Sequence, residues 1–108
     1  MTTESTFINL LRSFATDPAA RGLLDDVAVI DMGDASLIIT HDMMAEGVHF
    51  RSNANPADVA WKLVASNLSD LAAKGAAPVG VLLGFMLGDD AWDRAFVAGL
   101  EKALAHYN

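Results

Sequence analysis

The chain has 108 residues, of which 53% are apolar and none is cysteine, and 14 acidic against 7 basic side chains give a formal charge of −7. That length fits one domain able to bury its own core, and the apolar share excludes a disordered chain. The negative charge disfavours nucleic acid, and the lack of thiols excludes a disulfide framework or a thiolate metal site.

The first residues, Met1-Thr2-Thr3-Glu4, show no basic region followed by an apolar stretch, so no signal peptide is expected. The longest apolar run, Ala76 to Leu87, is too short for a membrane span and carries Gly80 and Gly84. A cytoplasmic protein without a membrane partner is the expectation.

Glu4 to Ala15 predicts a short amphipathic helix with Phe7, Leu10, Leu11 and Phe14 on one face. Asp17-Pro18 ends it, because a residue before proline avoids the helical region. Residues 17–24 read as a connection with room for one helical turn. Val27 to Asp31 and Ala35 to Thr40 predict two strands, joined by Met32-Gly33-Asp34 in a hairpin. Both are almost continuously apolar, as strands covered on both faces are.

Asn55-Pro56-Ala57-Asp58 is a helix start, with a capping side chain, a proline suited to the first turn and an acid at the positive end of the dipole. The helix is expected to run to Lys74 and bury Ala60, Leu63, Val64, Leu68, Leu71 and Ala72, with Gly75 as its left-handed cap. Val79 to Leu87 reads as a third strand whose glycines mark close approach of another backbone. Asp90 is expected to cap a final helix over Ala91 to His106, with Trp92, Phe96, Leu100, Ala103 and Tyr107 at helical spacing. The order α-β-β-α-β-α predicts an α+β fold, a sheet with helices packed on one face.

Three groups of polar residues sit at element ends. Asp25-Asp26 precedes the first strand, and Asp42 follows the second. Asp70 lies late in the long helix beside Ser66 and Asn67. Carboxylates so placed suit a hard cation such as Mg²⁺, which takes oxygen ligands and bridges to phosphate. Each also has a plain structural reading. Asp42 by itself reads as a turn residue satisfying nearby N–H groups. Asp70 could form an exposed ion pair with Lys74, worth about 0.3–0.5 kcal/mol. Asp25-Asp26 could simply solvate a strand entrance. His41 and His49 lack helical spacing and a third histidine nearby, which argues against zinc. His49 could donate a hydrogen bond to an anion or fill a half-buried position, and Glu46-Gly47 reads as a turn. There is no Gly-x-Ser-x-Gly and no Walker-type loop.

In Asp25-Asp26-Val27-Ala28-Val29-Ile30, Asp42-Met43, Glu46-Gly47-Val48-His49-Phe50-Arg51, Asn55-Pro56-Ala57-Asp58 and Asn67-Leu68-Ser69-Asp70-Leu71-Ala72-Ala73-Lys74-Gly75-Ala76, the chain from Leu24 onward resembles the N-terminal domain of the thiamine-monophosphate kinase family. That family belongs with aminoimidazole-ribonucleotide synthetase and selenophosphate synthetase. The resemblance implies a mixed sheet that pairs with a second subunit in a homodimer. It implies Mg²⁺ and ATP as cofactors and thiamine monophosphate as the acceptor, converted to the diphosphate by in-line phosphoryl transfer. Asp26, Thr40, His41, Asp42 and Asp70 are implied as the metal site, with Thr40 acting by its hydroxyl or backbone. His49 is implied as the substrate-phosphate contact.

Two positions depart from the family pattern: Leu24 stands in place of glycine and His41 in place of threonine. A backbone-carbonyl role at position 41 survives that change, whereas a hydroxyl role does not. Residues 1–108 are expected to be one N-terminal-type domain. The family's second domain, with its Gly-Gly-Asp-Thr segment, is not in this sequence, so the chain is expected to be inactive alone. Another enzyme of the superfamily and a non-catalytic dimerisation module are the competing readings.

Overall fold

The computed structural model describes residues 2–107. In chain order they form helix α1 (Glu4–Arg12), a 3₁₀ segment (Pro18–Leu23), strands β1 (Val27–Asp31) and β2 (Ser36–Thr40), and helices α2 (Pro56–Ala73) and α3 (Asp90–Tyr107). The fold is α+β with a two-stranded antiparallel sheet. Contacts divide the chain into two compact units. The first comprises the residues up to His41 together with Asp70–Ala76; the second comprises Asp42–Ser69 and the residues from Ala77 on.

In the first unit, Thr3 caps α1 by accepting from the Thr6 N–H. The helix stops at Arg12, earlier than its apolar spacing predicts, and its guanidinium donates to the carbonyls of Gly22 and Leu23. Those carbonyls belong to a run with positive φ at Arg21 (54°), Gly22 (66°) and Leu23 (53°). Two of the three carry side chains, for which the left-handed region costs roughly 1–2 kcal/mol each. The Arg12 bonds help hold this turn against that cost. Leu24 itself takes φ −94°, so the position where the family pattern has glycine makes no demand that leucine cannot meet.

The hairpin follows the predicted register, pairing Val27 with Thr40, Ala28 with Ile39, Val29 with Ile38 and Ile30 with Leu37. Gly33 takes φ +84° in the turn, where the Asp31 carboxylate accepts its N–H. Side chains alternate across a strand, so Ala28, Ile30, Leu37 and Ile39 share one face. Leu37 and Ile39 remain more than two-fifths exposed, while Val27 on the other face is buried. The sheet is therefore apolar and open on one side, where coverage of both faces was expected. It is also purely antiparallel, where a mixed sheet was expected.

The second unit holds the clearest core: Val59, Ala60 and Phe96, flanked by Met44, Phe50, Ala54, Leu63, Trp92 and Leu100. Asn55 caps α2 through the Ala57 N–H. The start of α3 is closed from both sides, because Asp89 accepts from the Trp92 N–H and Asp93 from the Gly88 N–H. The cap is thus Asp89, one residue before the position expected. Trp92 and Phe50 extend the ring packing around Phe96, with centroids 5.7 Å and 6.0 Å apart in the Phe96–Trp92 and Trp92–Phe50 pairs. Of the predicted stripe of α2, Ala60 and Val64 are buried, with Val59 beside them, while Leu63, Leu68 and Leu71 are half-buried and Ala72 is exposed.

Val79 to Leu87 forms no strand. A strand exists only where its backbone groups find a ladder partner, and among the described residues no third strand pairs with this run. Most of its large side chains are exposed, Val79, Leu82, Met86 and Leu87 fully or nearly so, and Leu83 and Phe85 are the least exposed of them. Phe85 packs on Phe96 at 4.9 Å.

Close helix packing in the second unit is shown at Gly99. A Cβ there would lie 2.6 Å from Ala57 Cα and 2.9 Å from Ala57 Cβ, so α2 and α3 approach with no space for a methyl group. Alanine normally favours a helix over glycine by about 1 kcal/mol, but overpacking against backbone costs about 1–3 kcal/mol. Gly99→Ala is expected to lower the urea midpoint of unfolding. A raised midpoint would show that the helices are farther apart.

Candidate functional site: an acidic depression and a histidine turn

The first unit gathers several of the expected residues. Asp26 ends the loop before β1, Thr40 ends β2 and Asp70 lies on the last turns of α2. Their proximity follows from the hairpin register, which sets Thr40 opposite Val27 and so beside Asp26. The Thr40 hydroxyl donates to the Asp26 carbonyl at 2.9 Å and lies 3.4 Å from an Asp70 carboxylate oxygen. One hydroxyl proton serves one acceptor at a time, so the shorter bond dominates and the Asp70 carboxylate is only lightly restrained. An open depression of about 400 Å³ is lined by Asp25, Asp26, Thr40 and His41, with Leu23 and Ile39 as its apolar walls.

The two adjacent aspartates have different fates. Lys74 donates to Asp25 Oδ2 at 2.9 Å and Arg21 to the same oxygen at 3.1 Å, while Asp25 Oδ1 accepts the Val27 N–H. Asp25 is thereby a fastening between the end of α2 and the loop before β1. No hydrogen bond or ion pair among the described residues reaches the Asp26 carboxylate. Pairing of Asp70 with Lys74 is not what forms, because Lys74 turns to Asp25. Gly75 closes α2 with φ +66°, and the Ala76 N–H reaches back to the Leu71 carbonyl, which sets the last turn in place. The fastening could not be read from sequence, since it joins residues far apart along the chain.

Among the described residues, no three His, Asp or Glu side chains form a ready-made metal cluster. The donor chemistry at Asp26, Thr40 and Asp70 is nonetheless all oxygen, the set a hard cation takes. Mg²⁺ characteristically uses one or two carboxylates and fills its remaining positions with water and phosphate.

Asp42 and His49 belong to the second unit. The Asn67 side chain accepts the Asp42 N–H at 3.1 Å and donates to the Leu63 carbonyl at 2.9 Å, so it clamps the chain after β2 onto α2. Asparagine inside a helix, where its side chain competes with the backbone, was the signal for such a role. His49 sits in a tight turn. Gly47 has φ +79°, the Ala45 carbonyl accepts from the N–H groups of Val48 and His49, and the Ala45 N–H donates to His49 Nδ1 at 2.9 Å. His49, Arg51, Asn53, Asp58 and Lys62 line an open hollow of about 260 Å³.

Residues 24–108 match the family described as AIR synthase related protein, N-terminal domain, and the chain belongs to that family. Among curated proteins it is similar to enzymes named thiamine-monophosphate kinase. The one from Synechococcus elongatus is 36% identical over 97% of this chain and 33% of its own length. That from Caulobacter vibrioides is 47% identical over 80% and 26%, and that from Escherichia coli 39% over 81% and 28%. The chain thus spans about a third or less of the relatives it matches. No solved structure matches it significantly. Among the described residues, no helix is long and apolar enough to cross a membrane.

Lys74, with Arg21 and the Val27 N–H, holds the Asp25 carboxyl below the usual carboxylate range, against some desolvation. A depressed folded-state pKa stabilises above the unfolded value and loses that contribution as pH falls through the folded one. Lys74→Met is expected to lower the melting temperature at neutral pH. The gap from the parent should begin to narrow below about pH 4, where unfolded carboxylates protonate, and vanish only once the folded Asp25 carboxyl protonates as well. A pH-independent gap in thermal scans would assign the effect to packing.

Proposed function

We propose that this chain is the N-terminal domain of an ATP- and Mg²⁺-dependent kinase that converts thiamine monophosphate to thiamine diphosphate in the cytoplasm. The observation that carries the reading is the gathering of Asp26, Thr40 and Asp70, from three elements, in a chain whose curated relatives bear that name. Asp26 and Asp70 would hold Mg²⁺ with Thr40 and the position-41 backbone beside them. Bound there, the ion neutralises charge on the transferring phosphoryl group and its nucleotide. The protein's own groups position the reactants: the Asp25 fastening keeps Asp26 at the rim of the depression, and His49 contacts the substrate phosphate.

Residues 1–108 would act as one domain of a homodimer. The exposed apolar face of Ala28, Ile30, Leu37 and Ile39 and the uncovered run Val79–Leu87 support that reading, because surfaces of this kind are usually covered by a partner. The 108-residue chain alone is expected to produce no thiamine diphosphate.

The metal assignment can be checked without turnover. Mn²⁺ substitutes for Mg²⁺ and broadens nearby amide resonances. With ATP present, broadening is expected at Asp26, Thr40, His41 and Asp70, and its loss in Asp70→Asn. Broadening confined to other acidic residues, such as Asp89, Asp90 and Asp93, would overturn it. In a protein that carries this sequence with the family's second domain, Asp26→Asn and Asp70→Asn should each lower kcat at least a hundredfold, about 2.7 kcal/mol of transition-state stabilisation.

A further inference from the structure

The histidine turn has a chemical polarity that the family resemblance does not supply. A backbone N–H can only donate, so the bond from Ala45 N–H to His49 Nδ1 at 2.9 Å requires a lone pair on Nδ1. The ring proton of the neutral imidazole is then on Nε2, and Nε2–H is the donor left for a ligand. This holds only if the His49 backbone stays where the ring can meet Ala45. The Lys62 ammonium donates to the His49 carbonyl at 2.7 Å, a short charge-assisted bond. Lys62 is well placed for that work: it sits on α2 between the core residues Val59 and Ala60 and the core-flanking Leu63. The turn around His49 has only short-range backbone bonds of its own, the longest reaching four residues, and Gly47 in it is conformationally permissive. Lys62 connects it to a rigid helix.

We propose that Lys62 is a positioning residue that fixes His49 as a neutral Nε2–H hydrogen-bond donor for a phosphate-bearing ligand entering the hollow between them. The identity of that ligand as thiamine monophosphate rests on the kinase reading; the tautomer and its dependence on Lys62 do not. Arg51 lines the same hollow and supplies positive charge. His49 therefore need not be charged to serve an anion. Its contribution is direction: one donor at a fixed place, where a protonated ring would have to release Ala45.

Long-range ¹H–¹⁵N correlation spectra of the full chain at about pH 8, above the ordinary imidazole range, read the tautomer directly. The expected result is a single Nε2–H form for His49 in the parent, a mixture of both tautomers in Lys62→Ala, and recovery of the single form in Lys62→Arg, which keeps a cationic donor. An Nδ1–H form in the parent would overturn the proposal, even if no variant folds. So would a Lys62→Ala protein that keeps the parent fold, checked by its Trp92 indole signal, with the tautomer unchanged. Titration with thiamine monophosphate separates the two layers. If the tautomer pattern holds and the His49 Nε2 resonance does not move, the positioning role stands and the substrate assignment fails.

Discussion

One ion pair fixes the chemistry of the first unit. Two carboxylates side by side repel, and each raises the cost of ionising the other. Here the conflict is resolved unequally. Asp25 is given two cations and a backbone N–H, while the side chain of Asp26 is left with none of these. The pair therefore splits into a structural carboxylate and one available for a ligand. Because Lys74 follows directly on Asp70–Ala73, the same bond holds that last turn of α2 against the hairpin, and with it the approach of Asp70 to Thr40. The energetic worth of each exposed contact is small. Their value is geometric, since they make a meeting of three elements reproducible.

The second unit uses different physics for a similar end. Its positions are set by packing: Phe96 against Trp92 and Phe85, and Gly99 against Ala57. Polar clamps are then hung on this frame. Asn67 holds the backbone of Asp42, and Lys62 holds that of His49. In both cases a helix side chain grips a main-chain atom of a loop residue. The loops are thus held at their main chain, and the holding groups come from α2.

Much of this was legible in the residues. The hairpin, both long helices, their caps to within one position and the Gly47 turn follow from period, proline, glycine and capping side chains, all local signals. The candidate site residues were named by resemblance, and the structure adds which of Asp25 and Asp26 is already engaged. What could not be read is long-range. Lys74 has an acidic neighbour one turn away on its own helix, and only the folded path shows that Asp25 outcompetes it. The strand expected at Val79–Leu87 failed for the same reason: its pattern is right, but a pattern cannot supply the neighbour that its backbone must bond to.

That run has a consequence for the behaviour of the chain in solution. Uncharged and free of proline, and made mostly of valine, leucine, methionine and phenylalanine, it has the make-up of segments that stack into ordered aggregates when left bare. Water is a poor environment for it, so the time between synthesis and burial is a window of risk. Its exposure then bears on survival as well as on architecture, and purification yield becomes a readout of how long that surface stays bare.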